Sequence, residues 1–377
     1  MIRILPPWKG DKAEDIWELY YFLLYNILPF EPGDYLPKDK NGFYYYPDGD
    51  RSKGKAYPSA PFREFKLTEE SKMLLERIDK PIPDSLEELI QIVDSDLHCY
   101  LYQDHRVKRE NLIELLTTET DEQTLLSKHL DFKCTSGLAK LLLQYVFNYD
   151  NFSRKKLFPK LVQLMGIEVC PYCNRSFTST VKVRNGKYYR QNQIDHYRPK
   201  ILFPWFALTL PNLIPVCSNC NLRKGDDEEF VLYPYREGFG ESYRFRTVPI
   251  LGIGYLTGQP ASLDEFEIHI ESKATGDLNY NTRAQKSIQK FGLDVLYRQS
   301  HNAYICAIFE QRYIFDDAYL DSLVDSFPEL FKTKEDVRRL LYMKQYTGDK
   351  LGFDPLAKLT YDIDDEISRL STEKYYK

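Results

Sequence analysis

Apolar residues recur at intervals of three and four in three places in the first half of the chain: "AEDIWELYYFLLYNIL" (13–28), "DSLEELIQIVDSDL" (84–97) and "SGLAKLLLQYVFNY" (136–149). That spacing predicts helices with one face on a core. Between the first two lies "FEPGDYLPKDKNGFYYYPDGDRSKGKAYPSAP" (30–61), dense in Pro, Gly, Asp and Lys. It reads as a long surface loop, with a short hairpin at "DKNGFYYY". Past residue 165 the texture changes. "STVKVRNGKYYRQ" (179–191) reads as a strand pair around an Asn-Gly turn. "SYRFRTVPILGIGYL" (242–256) and "EFEIHIESK" (265–273) predict further strands, 283–323 one or two helices and "EDVRRLLYMKQY" (335–346) another. The final "KYYK" reads as a frayed tail, and no internal repeat is visible. The pattern divides the chain into a mainly helical region 1–165, a cysteine-bearing module 166–235, and a region 236–377 of strands followed by helices. The fold class expected is α+β, mainly helical.

Composition adds limits rather than a function. With 43 % hydrophobic and 28 % charged residues, the 377-residue chain is that of a soluble globular protein. The aromatic share of 15 % is first of all core material. The longest apolar stretch, "ILFPWFALTLPNLIPV" (201–216), is short and broken by three prolines, so no membrane span is expected. "MIRILPPWKG" lacks the apolar run of a secretory signal. A cytoplasmic protein is therefore expected, in which seven cysteines are reduced or metal-bound rather than disulfide-bonded.

Four cysteines form two pairs, Cys170 and Cys173 in "CPYC" and Cys217 and Cys220 in "CSNC". Each two-residue gap lets a tight turn present both thiolates to one ion, and two such turns complete a tetrahedron around Zn²⁺. Chance spacing of buried thiols and a redox dithiol are the alternatives. A zinc with four thiolate ligands is structural, so the chemistry must come from other residues. Cys99, Cys134 and Cys306 are isolated and read as small buried hydrophobes. "HCYLYQDH", with His98 and His105, has no recognised metal spacing.

Between and beside the cysteine pairs stand Asp195-His196 in "QIDHYRPK", Asn212 in "PNLIPVC" and Asn221 in "CNLRKGD". In this order the pattern resembles the HNH, or ββα-metal, endonuclease family, in the branch with a four-cysteine zinc site. The resemblance covers roughly residues 168–227, about a sixth of the chain. It implies an embedded zinc-stabilised nuclease module that hydrolyses phosphodiester bonds of DNA, with RNA as the other polynucleotide. His196 would be the general base for water. Asp195 and Asn221 would ligate a catalytic Mg²⁺ or Mn²⁺, Asn221 standing where other members have a final His. Asn212 would brace the loop that holds the base. Arg198, Lys200 and Lys224 would meet substrate phosphate.

The residue types suit that chemistry independently. A near-neutral imidazole can take a proton from water, and carboxylate and amide oxygens are hard donors for divalent ions. An isolated Asp-His is more simply an ion-paired histidine, and Asn221 is equally a helix N-cap. Nine basic and two acidic residues between 170 and 226 give a local charge of +7 in a chain of net charge −5. This island is the footprint of a phosphate-binding groove, or else the solvated face of a hairpin. "H-Y-R-P-K" and "C-N-x2-K-G-D" also resemble PtuB-like HNH nucleases of the anti-phage systems Septu and some retrons. That likeness implies an ATPase or other defence-system partner, which the flanking regions would dock. The rival expectation is a non-catalytic zinc-stabilised module that binds nucleic acid or protein.

Overall fold

A computed structural model describes residues 1–25, 27–36, 65–135, 137–227, 231–260, 262–273, 277–345 and 348–375. The expected hairpin at "DKNGFYYY" lies outside them. Up to Met165 the described chain is built from α1 (Ala13–Leu24), α2 (Pro32–Tyr35), α3 (Glu69–Arg77), α4 (Leu86–Val93), α5 (Ser95–Leu101), α6 (Arg109–Thr117), α7 (Glu122–Ser127), α8 (Ala139–Tyr145), α9 (Tyr149–Ser153) and α10 (Phe158–Met165). The one helix expected over 84–97 is two. Asp94 is extended (φ −153°) and its side chain accepts from the Leu97 amide, so it ends α4 and caps α5. A two-residue pair, β1 (Tyr102–Gln103) with β2 (Arg106–Val107), follows α5.

The central module holds two antiparallel pairs. β3 (Thr180–Lys182) and β4 (Tyr188–Arg190) form the expected hairpin, with Asn185 and Gly186 both at φ 72° in its turn. Positive φ at both positions is what an Asn-Gly turn supplies at low steric cost. β5 (Gln193–His196) pairs with β6 (Leu213–Val216), Asp195 opposite Ile214 and His196 opposite Leu213. α11 (Ser218–Lys224) then completes a strand–strand–helix unit. Its N-cap is Cys217, so Asn221 lies inside the helix rather than at its start.

In the last region, β7 (Tyr243–Pro249) pairs with β8 (Phe266–Ser272) over seven residues. Four helices, not one or two, occupy the stretch around 283–323: α12 (Leu278–Phe291), α13 (Leu293–Arg298), α14 (Asn302–Ile314) and α15 (Asp317–Ser326). Gly292, left-handed at φ 60°, makes the first break. α16 (Lys334–Tyr342) and α17 (Ala357–Tyr375) complete the chain, and α17 extends helix into the expected tail. It lies along β7, where Asp362 accepts from the Phe245 amide (2.9 Å) and Glu366 from the Thr247 amide (3.1 Å).

One hydrophobic cluster runs through all three regions, from Ile16 and Tyr20 through Trp205 and Val216 to Phe291 and Ile363. Polar ties cross the same boundaries. Tyr20 Oη donates to the Leu208 carbonyl (2.7 Å), Thr209 Oγ1 to Leu115 (2.5 Å) and Tyr297 Oη to Cys173 (2.6 Å). The central module is therefore packed on both sides. Among the described residues no helix is long and apolar enough to cross a membrane.

Candidate functional site

The two cysteine pairs meet. The ligand sulfurs of Cys170, Cys173, Cys217 and Cys220 lie within 4.8 Å of one another, and all four residues are buried. Cys173 Sγ and Cys217 Sγ are 3.9 Å apart. A tetrahedron with Zn–S bonds of ~2.3 Å has edges of about 3.8 Å, so the cluster fits zinc. The first turn is built by local backbone bonds: the Asn174 amide donates to the Cys170 carbonyl (2.8 Å), and the Arg175 amide to Cys173 Sγ (3.4 Å). Asn174 takes φ 52° to make that turn. Hydrogen bonds from its three neighbours lower the Cys217 pKa, while burial and then hydrogen bonds raise that of Cys170, and hydrogen bonds and then burial that of Cys220. Of the isolated cysteines, Cys134 and Cys306 are buried as expected but Cys99 is exposed.

β5 sends its side chains to opposite faces. His196 Nε2 lies 3.0 Å from the Ala207 carbonyl oxygen. A carbonyl only accepts, so Nε2 carries the hydrogen, and in the neutral ring Nδ1 keeps its lone pair. Burial, then the charge of Lys200, lower the His196 pKa from 6.5 to about 3, so the ring is neutral. Tyr149 of α9 packs edge-on against it, ring centroids 4.4 Å apart. Lys200 Nζ lies 5.3 Å from the Tyr149 ring centre and 3.9 Å from Asp150.

Asn212 is fully buried and uses both ends of its amide. Oδ1 accepts from the Arg198 amide (2.7 Å) and from Thr120 Oγ1 (3.1 Å). Nδ2 donates to the carbonyls of Arg198 (3.1 Å) and Phe206 (3.0 Å). These four bonds fix both ends of the excursion after His196, including the segment that carries the Ala207 carbonyl. Arg198 is 4 % exposed, its guanidinium donating to the Thr120 carbonyl (2.9 Å) and lying over Tyr197 and Phe203. It is held among protein groups, and the little of it that is exposed lines a small cavity with Glu122, Asp131 and Lys133.

Asp195, on the other face of β5, is 4 % exposed, and both oxygens are engaged. Tyr172 Oη donates to Oδ2 (2.5 Å) and Lys224 Nζ to Oδ1 (3.0 Å). Lys224, 2 % exposed, also donates to the His196 carbonyl (2.8 Å). It is a buried counter-charge, not the phosphate contact expected from sequence. Asn221, one turn earlier on α11, donates to Gln193 Oε1 (2.8 Å). The donor types suit a hard divalent ion, but the arrangement does not fit one. Asp195 is already neutralised, and an added double charge beside a buried ammonium is unfavourable. Asp195 pairs with Lys224, and Asn221 pairs with Gln193, two residues before Asp195 on the same face of β5.

Tyr149 and Tyr172 escape a reading of the sequence. Tyr172 is the spacer of "CPYC", and Tyr149 meets His196 from a helix 47 positions away in the chain. With this geometry in place, the match to known proteins is specific: residues 170–227 fit the family model of the HNH endonucleases. No curated protein and no solved structure matches the chain. A mainly helical α+β chain thus carries a segment similar to the HNH endonucleases, and that segment contains all four clustered cysteines.

Proposed function

We propose that the chain is an endonuclease that hydrolyses phosphodiester bonds of DNA, with His196 as the general base. The observation that carries the reading is the state of that ring: Nε2 is tied to the Ala207 carbonyl, and Nδ1 remains a proton acceptor near the Lys200 charge. Nδ1 takes a proton from water as the water oxygen bonds to phosphorus and the ester bond to the leaving oxygen breaks; that alkoxide takes a proton from solvent, and the imidazolium returns its own to solvent. Asn212 is a positioning residue for the loop that holds the base, and Lys200 supplies positive charge toward the phosphate. The four cysteines hold zinc as a structural centre. Mg²⁺ or Mn²⁺ bound by Asp195 and Asn221 enters no step here, because Lys224 already occupies Asp195.

Purified protein is incubated with supercoiled plasmid in Mg²⁺ or Mn²⁺, with and without an ATPase from the same genomic neighbourhood. Wild type nicks and His196→Ala does not; equal nicking by both would remove His196 from the role of base. The same experiment addresses the defence role supported by the "H-Y-R-P-K" and "C-N-x2-K-G-D" likeness, for which cleavage depends on the ATPase.

One observation favours the rival, a non-catalytic zinc-stabilised binding module: the Asp195–Lys224 pair satisfies the carboxylate without any ion. That reading expects DNA binding that survives both His196→Ala and Asn221→Ala, and no nicking with either metal.

A further inference from the structure

Beside His196 the surface opens into a cavity of about 420 Å³ that lies mostly outside the HNH segment. Its walls come from α8, α9 and the turn between them, closed by Lys200. Lys140, Arg154 and Lys200 bring three positive charges to it, against the single acid Asp150, with Asn151 and Tyr149 between them. Lys140 and Arg154 are exposed and form no ion pair with any described residue. Tyr149 is wall and link at once, since its ring lines the cavity and touches His196.

Positive charge continues beyond the opening. Between 133 and 160 the chain has six basic residues and one acid, in a protein of net charge −5. Lys156 and Lys160 are exposed. Arg190 of the β3–β4 hairpin lies over Phe158 at 5.4 Å and acts electrostatically on Tyr149. A single free anion would use one cluster of donors. Basic side chains from several elements around one cavity, Lys140, Arg154, Lys200 and Arg190, suit a chain of phosphates.

We propose that the groove formed by α8, α9 and Lys200 is the DNA-binding track of this protein, with Lys140 and Arg154 gripping the sugar–phosphate backbone and Tyr149 steering it past His196. The proposal rests on the nuclease reading and extends it. The residues that hold the substrate come from the helical region and not only from the module that carries the base. Backbone contacts position without reading sequence, so the track implies no base preference.

The test uses the full-length His196→Ala protein, which holds DNA without turning it over. Binding of a short fluorescent duplex is followed by anisotropy across a salt series, with single-stranded DNA and RNA of the same sequence in parallel. Adding Lys140→Gln and Arg154→Gln together is expected to weaken duplex binding roughly tenfold and to flatten the salt dependence by about 2 in log–log slope. Circular dichroism and zinc content stay unchanged, because both side chains are exposed. Unchanged affinity and slope would overturn the track while leaving the nuclease reading intact, provided wild type still nicks plasmid. Binding restricted to RNA would overturn it as a DNA track. If wild type neither nicks nor binds any of the three, the nuclease reading falls and the track with it.

Discussion

Lys224 shows how far a residue's role can depart from its type. A lysine in "CNLRKGD" reads as a surface charge aimed at phosphate, yet it is 2 % exposed and bonded to Asp195. Breaking a buried pair from one side strands a charge. Lys224→Met is therefore expected to destabilise the protein by about 3–5 kcal/mol, measured by urea unfolding. The double variant with Asp195→Asn should be less destabilised than the sum of the two singles, the signature of direct coupling. His196 makes a second prediction. Its pKa is lowered from 6.5 to about 3, so the basic form persists on acidification. The kcat/KM of cleavage should show no inflection near 6.5, and a profile that bends there would mean a solvated imidazole. The cysteine cluster was legible in the sequence because its meaning lies in spacing over a few residues. The burial of Arg198 and Lys224 was not, because it depends on which carbonyls and carboxylates the fold brings to meet them.

At the scale of elements, the two cysteine turns and the β5–β6–α11 unit form one closed device. Cys217 is both a member of the cysteine cluster and the N-cap of α11, so an ion held by the cluster would fix where the helix begins. Cys217→Ser should release zinc, read as lost metal in elemental analysis, and reduce the helical signal in circular dichroism. Zinc retained at the wild-type ratio would contradict the four-cysteine site. Helices with a plain apolar stripe were visible in the sequence. Their ends were less so, because Asp94 and Gly292 act through backbone conformation. α17 was missed for a different reason. Its buried face includes Lys358, Thr360, Asp362 and Asp364, which serve β7, Tyr304, Tyr342 and Arg312. Leu359, Ile363 and Ile367 keep a four-residue apolar spacing on the same helix, but the buried polar residues between them interrupt the stripe.

For the whole molecule, the HNH segment is a central layer rather than an appendage. Tyr20, Leu115 and Thr120 hold one side of it, while Tyr297 and the Phe291 ring stacked on Tyr172 (4.4 Å) hold the other. An excised 166–235 fragment, even with zinc, should lack a cooperative thermal transition. A sharp transition from that fragment would show that its neighbours are dispensable for folding. This embedding was not visible in the sequence, since no motif marks which helix face covers a strand from another region.

The Tyr20–Leu208 bond also has a consequence for biosynthesis. α1 leaves the ribosome well before Leu208 is made, and Asn212 must emerge before its amide can bridge the Arg198 backbone to Thr120. The nascent helical region therefore exposes apolar surface for most of translation, a demand on holding chaperones. A translation product that ends between residues 196 and 212 would carry His196 but lack the Asn212 amide that fastens the loop after it.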